Sequence, residues 1–133
     1  MADYTIKQLS EMFEIPASTL RYYESIGLLP PVERKQQQRV YHDVHIQRLQ
    51  AIECFKNTGL SIGKMLEFFE YEQNLEMHID DILTLVSQHE ETILSQIAQL
   101  EQDLLHIQHK VRYYTGIKHA IESKTAWPTW EEA

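Results

Sequence analysis

The segment Thr19-Leu-Arg-Tyr-Tyr-Glu24 carries side chains suited to recognising an anion or the edge of a nucleic-acid base. Arg21 has a planar guanidinium that can form two parallel hydrogen bonds, either to a phosphate or to O6 and N7 of guanine. The alternative for Arg21 is a surface ion pair with Glu24 or Glu14, which would contribute little beyond solubility. Arg21 lies in the first turns of a predicted helix, which would direct it toward a groove, but composition alone leaves both interpretations open.

Two adjacent tyrosines follow this arginine. Because consecutive residues of a helix point in different directions, Tyr22 and Tyr23 cannot share a face. Tyr23 shares helical phase with Leu20, which predicts that Tyr23 packs in the core. Tyr22 is then expected to point outward, where its hydroxyl can donate to a phosphate.

Cys54 is the only cysteine, so one chain can form neither a disulfide nor a site built from several of its own thiols. Beside Ile52 and Phe55, a lone helical cysteine fits a small buried hydrophobe. The alternative is a reactive thiol, whose thiolate Lys56 or Arg48 would favour and a helix C-terminus would disfavour. No motif places a general base beside Cys54, so we do not expect an enzyme.

Charge is unevenly distributed along the 133 residues. The net charge is −8, but residues 1–64 sum to +1 and residues 65–133 to −9. Phosphate binding needs Lys and Arg to displace counterions, so only the first half is a candidate for contact with nucleic acid. The sequence contains neither an apolar run long enough to span a membrane nor a signal peptide, which predicts a cytoplasmic protein with no membrane partner.

The elements that position these side chains begin with two short helices. Thr5 opens the first with a capping hydroxyl, and apolar residues at helical spacing continue to Phe13. Pro16 lies near the first turn of the second helix, with Ser18 and Thr19 at its start, and Gly27 ends it. Two short helices joined by a tight turn are typical of a helix-turn-helix.

A hairpin and two more helices complete the first half. The polar run from Glu33 to Arg39 predicts a short β-hairpin with a basic tip, that is, a wing. Asp43 is expected to cap a third helix that ends near Asn57. Ser61 is expected to start a fourth helix.

The second half contains the strongest periodic signal of the chain. An apolar seam in alternating steps of three and four predicts a long helix that needs a partner, and because the sequence has no second long helix, we expect a second copy. Only Glu90 interrupts the seam. Its apolar members are Leu83, Val86, Ile93, Ile97, Leu100, Leu104, Ile107, Val111 and Tyr114.

The order of elements and five short motifs resemble the MerR family of bacterial regulators across residues 4–72. The motifs are Tyr4-Thr-Ile-Lys-Gln-Leu9, Leu20-Arg-Tyr-Tyr-Glu24, Gly27-Leu-Leu-Pro30, Arg39-Val-Tyr41 and Asn57-Thr-Gly-Leu-Ser61. The resemblance implies a winged helix-turn-helix head and an antiparallel dimerisation helix. It also implies binding to a promoter palindrome, distortion of that DNA and access for RNA polymerase.

Membership of that family would place a set of polar and basic side chains on DNA. Hydroxyls near helix starts have helix capping as their alternative role, and lysines and arginines of exposed loops have simple solvation. Tyr23, although expected in the core, is included because both tyrosine positions lie near the backbone in the family. The predicted DNA-binding residues are Thr5, Ser18, Thr19, Arg21, Tyr22, Tyr23, Arg34, Lys35, Arg39, Tyr41, Lys56 and Lys64.

Cys54 followed by Phe-Lys-Asn-Thr-Gly59 also resembles the branch of the family that senses aldehydes and other electrophiles through one thiol. The metal-sensing branch has cysteines at the start of the dimerisation helix and in the loop after it. The corresponding segments of this chain, 74–81 and 115–124, contain none, so we expect no metal and no cofactor. Exposed helical histidines such as His106 and His109 are weak evidence for a metal site. Trp127 and Trp130 are expected to lock the tail, with a small ligand pocket there as the alternative.

The sequence therefore predicts a mainly α-helical chain in three parts. Residues 1–75 form a winged helix-turn-helix, 76–114 a coiled-coil dimerisation helix and 115–133 a short tail or effector region. The expected function is a homodimeric regulator that binds double-stranded DNA at a promoter, with Cys54 as the candidate sensor. The alternative is an acidic coiled-coil module that binds protein.

Overall fold

The computed structural model describes residues 3–133 and contains five α-helices, one two-stranded hairpin and a terminal 3₁₀ turn. The elements are α1 (Ile6–Phe13), α2 (Ala17–Ser25), β1 (Glu33–Lys35), β2 (Gln38–Val40), α3 (Asp43–Asn57), α4 (Ile62–Glu72), α5 (Leu75–Ser123) and the 3₁₀ turn Trp130–Glu132. Contacts divide the chain into two compact units, one ending at Ser87 and one beginning at Gln88. The predicted mainly helical fold with a winged helix-turn-helix and a long helix is confirmed.

Hydrogen bonds of Thr5, the residue just before α1, define the start of this helix. The Thr5 hydroxyl accepts from the amide of Gln8 at 3.1 Å, and the Gln8 side chain accepts from the amide of Thr5 at 2.8 Å. This reciprocal pair satisfies two amides that lack partners within the helix. Glu14 then leaves the helix in the left-handed conformation, at φ 53°. The structure thus gives Thr5 the capping role.

The wing, which we define as β1, β2 and the turn between them, is a minimal hairpin. Its register pairs Glu33 with Val40, Arg34 with Arg39 and Lys35 with Gln38 in a 2-stranded sheet. Gln36 and Gln37 form the turn at φ 52° and 67°, and positive φ at both central residues is what the right-handed twist of a tight hairpin requires.

The start of α3 corrects one expectation. His42, rather than Asp43, precedes the helix, and its amide donates to Nδ1 of His45 at 3.0 Å. Asp43 is the first helical residue, where its charge still favours the helix N-terminus. At α4 the expectation holds, because the Ser61 hydroxyl accepts from the amide of Lys64 at 3.2 Å.

The core of the first unit joins both helix-turn-helix elements to the wing base, α3 and α4. Its members bury nearly all their surface, so the helices are held by apolar packing rather than by intrinsic helix propensity. They are Leu9, Ile15, Leu20, Tyr23, Leu28, Leu29, Tyr41, Leu49, Ile52, Met65 and Phe69.

The long helix α5 differs in length from the sequence prediction. It continues to Ser123 without the break expected after Tyr114, and only His78, at φ −119°, departs from helical geometry. Within residues 3–133, none of the helices is both long and apolar enough to cross a membrane.

Candidate nucleic-acid interface

The helix α2 presents one polar face and one buried face. Arg21 is exposed, Tyr22 is 50% exposed and Tyr23 only 5% exposed. The helical-phase prediction is therefore confirmed: Tyr23 lies in the core with Leu20, and Tyr22 points outward. Glu24, one of the partners that the ion-pair alternative assigned to Arg21, is bound to Arg39 instead.

The N-terminus of α2 lacks a side-chain cap among the described residues. Pro16 occupies the capping position, and its carbonyl accepts from the amide of Thr19 at 2.9 Å. Ser18 and Thr19 therefore lie inside the first turn, and the capping role considered for them is wrong. Unpaired amides at a helix start attract anions, and the exposed Ser18 hydroxyl adds a donor beside them.

Among the described residues, one ion pair joins the wing to α2. Arg39 Nε donates to Glu24 Oε2 at 2.7 Å, and the side chains are only 23% and 22% exposed. Charge-assisted hydrogen bonds of this length are among the strong ones in proteins, and partial burial limits screening by solvent. Arg39, predicted to meet the DNA backbone, is thus placed against a carboxylate. Sequence reasoning missed the role of Glu24.

Tyr41 corrects another predicted DNA contact. Its side chain is 0% exposed, so its hydroxyl cannot reach a phosphate without rearrangement of the core. Burial raises the pKa of Tyr41, with a smaller contribution from Glu24. Arg39, Arg21 and Arg34 act in the opposite direction and lower this pKa. Arg21 of α2 and Arg34 and Arg39 of the wing therefore all lie close enough to Tyr41 to influence its hydroxyl electrostatically.

The base of the wing is anchored to the start of the chain. Tyr4 and Tyr41 form an antiparallel bridge, with N–H···O distances of 2.8 and 2.9 Å. The Tyr41 ring meets the His45 ring edge-on at 5.4 Å between centroids. The wing strand β2 therefore continues into a fixed part of the core.

The remaining predicted basic contacts are all exposed, but they have different surroundings. Arg34 and Lys35 lie in β1, and Lys35 pairs with Asp3 at 3.6 Å. Lys64, at the start of α4, pairs with Glu67 at 3.2 Å. Such exposed pairs are weak, so a phosphate can displace the carboxylate. Lys56 lies in the last turn of α3 and is also exposed.

One interpretation of Cys54, that it packs as a small buried hydrophobe, is wrong because its side chain is exposed. Its carbonyl accepts from the Thr58 hydroxyl at 2.7 Å, but the side chain lies at the surface. Arg48 does not serve this thiol: its guanidinium donates to the Leu28 carbonyl at 2.9 Å and lies 3.9 Å from the centre of the Phe69 ring. Lys56 is left as the nearby cation proposed from the sequence.

The second unit contains the tail contacts. Trp130 stacks on His109 of α5 with 3.9 Å between ring centroids, and the His109 ring nitrogen Nε2 lies 2.6 Å from the Trp130 carbonyl oxygen. Tyr113 meets the same indole edge-on at 5.2 Å. Trp127, by contrast, is 61% exposed and borders an open cavity of about 590 Å³ at the end of α5. Residues 3–133 contain no group of three or more potential metal ligands.

The apolar seam of α5 is open to solvent in the single chain. Ile82 and Leu85 are buried, whereas the seam residues Leu83 and Leu100 are 52% and 66% exposed. The further seam residues exposed by more than a third are Val86, Ile97, Leu104, Ile107, Val111 and Tyr114. Contiguous exposed apolar surface of this kind marks an interaction site.

Comparison with known proteins agrees with this geometry. Residues 4–72 match the model of the MerR HTH family regulatory proteins. An uncharacterised HTH-type transcriptional regulator of Haemophilus influenzae is 33% identical over 116 residues, which cover 86% of each chain. The HTH-type transcriptional regulator AdhR of Bacillus subtilis is 44% identical over 64 residues, 47% of this chain and 46% of AdhR.

A solved structure covers most of the chain as well. It is that of HiNmlR, described as a MerR family regulator lacking the sensor domain and bound to promoter DNA. The two chains superpose with a TM-score of 0.81 and 30% identity, over 93% of this chain and 92% of the other.

Proposed function

We propose that this chain, which belongs to the MerR family of helix-turn-helix regulatory proteins, binds a promoter palindrome as a homodimer and distorts it to control transcription. It is a DNA-binding transcriptional regulator of that family. The observation that carries the proposal is the placement of exposed Arg21 and Tyr22 on α2 beside a basic wing. HiNmlR, a similar protein, is bound to promoter DNA in its solved structure, which supports DNA as the partner of this chain.

Each element of the head has a proposed task on DNA. Arg21 reads a guanine or grips a phosphate from the major groove, and Tyr22 donates its hydroxyl to the backbone. The uncapped start of α2 receives a phosphate beside Ser18 and Thr19. The wing cations and the lysines near the α3–α4 turn extend these contacts along the backbone; they are Arg34, Lys35, Lys56 and Lys64.

A second chain supplies the other half-site. The exposed seam of α5 pairs with its copy in an antiparallel coiled coil, which buries the apolar stripe. A two-fold dimer presents two α2 helices to a palindrome. Bending or untwisting the intervening DNA aligns promoter elements for RNA polymerase.

Cys54 is the proposed sensor of this regulator. Its side chain is exposed, as attack on a small electrophile requires. The thiolate sulfur adds to the carbonyl carbon of an aldehyde, so that a C–S bond forms, and the carbonyl oxygen takes up a proton to give a hemithioacetal. This modification adds bulk and a hydroxyl at the end of α3.

Salt-dependent binding to DNA tests the proposal. The wild-type chain is titrated against a labelled duplex of the promoter upstream of its own gene and against a shuffled duplex of the same length. We expect tighter binding to the promoter and a logarithmic affinity that falls steeply with salt, because each neutralised phosphate contributes about −0.9 to the slope. Equal, salt-independent binding to both duplexes would favour the protein-binding alternative.

A further inference from the structure

The ion pair of Arg39 with Glu24 joins the wing to α2. The residues are 15 positions apart, one in β2 and one in α2. Their contact is 2.7 Å long and about three-quarters of each side chain is buried. Ordering two long side chains costs entropy, so a short, shielded contact of this kind indicates a fixed connection.

The wing is too short to be stable without contacts to the rest of the chain. A hairpin of three paired residues on each side is not stable by itself in water. In addition, Arg34 and Arg39 are direct register partners, and like charges opposite each other destabilise a hairpin. The Glu24 carboxylate lies on Arg39 and offsets this repulsion. The Tyr4–Tyr41 bridge holds the base of the wing, and the ion pairs of Lys35 with Asp3 and of Glu33 with His42 hold β1. Among the described residues, the Arg39–Glu24 pair is the ion pair that holds β2.

We propose that Glu24 is a positioning residue that holds the wing against α2, and that Arg39 is the strut between them rather than a ligand of phosphate. This inference rests on the proposed DNA binding. The guanidinium of Arg39 is already neutralised, whereas Arg34 and Lys35 remain exposed for the DNA backbone. In this role Glu24 promotes DNA binding because it holds the wing in place, although it is an acidic residue of the recognition helix.

The direction in which Glu24→Gln changes DNA affinity distinguishes a positioning role from a purely electrostatic effect. Glu24→Gln removes a negative charge from a DNA-binding surface, which by charge alone tightens binding. A positioning role predicts the opposite, because the released wing no longer offers Arg34 and Lys35 in a fixed place. Glu14→Gln is the matched control, since Glu14 is an exposed acid of the same helix-turn-helix and removes the same charge.

Two measurements are made on each full-length variant. Hydrogen exchange of the free protein follows the amides of β1 and β2, and anisotropy follows binding to the labelled promoter duplex at fixed salt. We expect Glu24→Gln to accelerate exchange in the wing and to weaken binding about tenfold, the loss typical of one charge-assisted hydrogen bond. Glu14→Gln should leave exchange unchanged and binding unchanged or slightly tighter.

The combination with Arg39→Ala completes the test. If the two residues act as one strut, the double variant binds no more weakly than the weaker single variant. Unchanged wing exchange in Glu24→Gln overturns the strut, and binding as tight as wild type overturns its role on DNA. If the wild type itself fails to bind DNA, the proposed function is wrong, while the exchange result still decides the strut.

Discussion

Arg21 and Arg39 are both basic residues of the head, but their surroundings give them different tasks. Arg21 is exposed on α2, whereas Arg39 is held by Glu24. The resemblance to the MerR family assigned both to DNA contact. The difference arises from the contact of Arg39 with Glu24, which are 15 positions apart. A local sequence pattern does not predict a contact over that separation.

Tyr41 and Cys54 show two further limits of sequence reasoning. Tyr41 is buried in the core and its backbone is bridged to that of Tyr4, a long-range pairing that the hairpin pattern does not reveal. For Cys54 a usable signal was present: it lies two positions after Ile52, about half a turn around α3, and Ile52 is 1% exposed. Helical phase therefore indicated an exposed thiol, as it correctly separated Tyr22 from Tyr23.

Cys54→Ser tests the proposed sensor at the residue scale. The hydroxyl is much less nucleophilic than a thiolate, so this variant should bind the promoter normally but lose its response to formaldehyde or methylglyoxal in transcription in vitro. Intact-mass measurement should find the aldehyde adduct on the wild type and not on the variant. A full response of Cys54→Ser to either aldehyde would remove Cys54 from the sensor role.

At the level of elements, the sequence located the starts of α1 and α4 and the ends of α1 and α3, but not the caps of α2 and α3 or the end of α5. Capping chemistry is local, and Thr5 and Ser61 begin α1 and α4 as expected. The end of α5 was placed too early, since the seam stops at Tyr114 while the helix continues. Its last turns are covered by the tail, which buries Ala120 to 5% exposure, and that packing is not visible in a periodic pattern.

The tail packs on the face of α5 opposite the seam. His109 lies two positions from Ile107 and Val111, which is about half a turn around the helix. His109 and Tyr113, two of the residues that contact Trp130, are four positions apart and share a face. The tail therefore covers one side of α5 and leaves the proposed dimer seam open.

Gly116→Ala tests this packing. A Cβ at residue 116 would lie 2.9 Å from Cγ of Pro128, too close for carbon atoms, so the tail must shift although alanine favours a helix by about 1 kcal/mol. Both tryptophans of the chain are in the tail, so we expect fluorescence emission to shift to the red.

Gly63→Ala is the matched control, because its nearest atom, the Ser61 hydroxyl oxygen, is 3.9 Å from the new Cβ. It should leave the emission spectrum unchanged and raise the free energy of unfolding by up to about 1 kcal/mol. Identical spectra for Gly116→Ala and the wild type would show that the tail does not depend on this close approach.

The complete regulator is expected to contain two chains. The charge of −9 on residues 65–133 repels DNA, so binding must come from the first half, and one short recognition helix gives modest affinity. Joining two heads makes the second contact intramolecular and multiplies the affinity. Dimerisation through α5 is therefore expected to be a condition of tight promoter binding.

Leu104→Glu and Leu105→Glu test the seam with the same change at neighbouring positions. Both leucines are exposed, at 53% and 59%, but only Leu104 belongs to the seam. We expect Leu104→Glu to sediment as a monomer and to bind the promoter at least tenfold more weakly, on the order of the avidity lost with the second half-site. Leu105→Glu should remain a dimer, and two dimeric variants would contradict the proposed interface.

The most direct test of recognition by α2 is the promoter affinity of Arg21→Ala at matched salt, with Arg112→Ala, an exposed arginine of α5, as control. We expect Arg21→Ala to lose about 1–3 kcal/mol of binding free energy while remaining a folded dimer. Arg112→Ala should bind like the wild type. Wild-type affinity of Arg21→Ala for the promoter duplex would show that α2 does not recognise the promoter through Arg21.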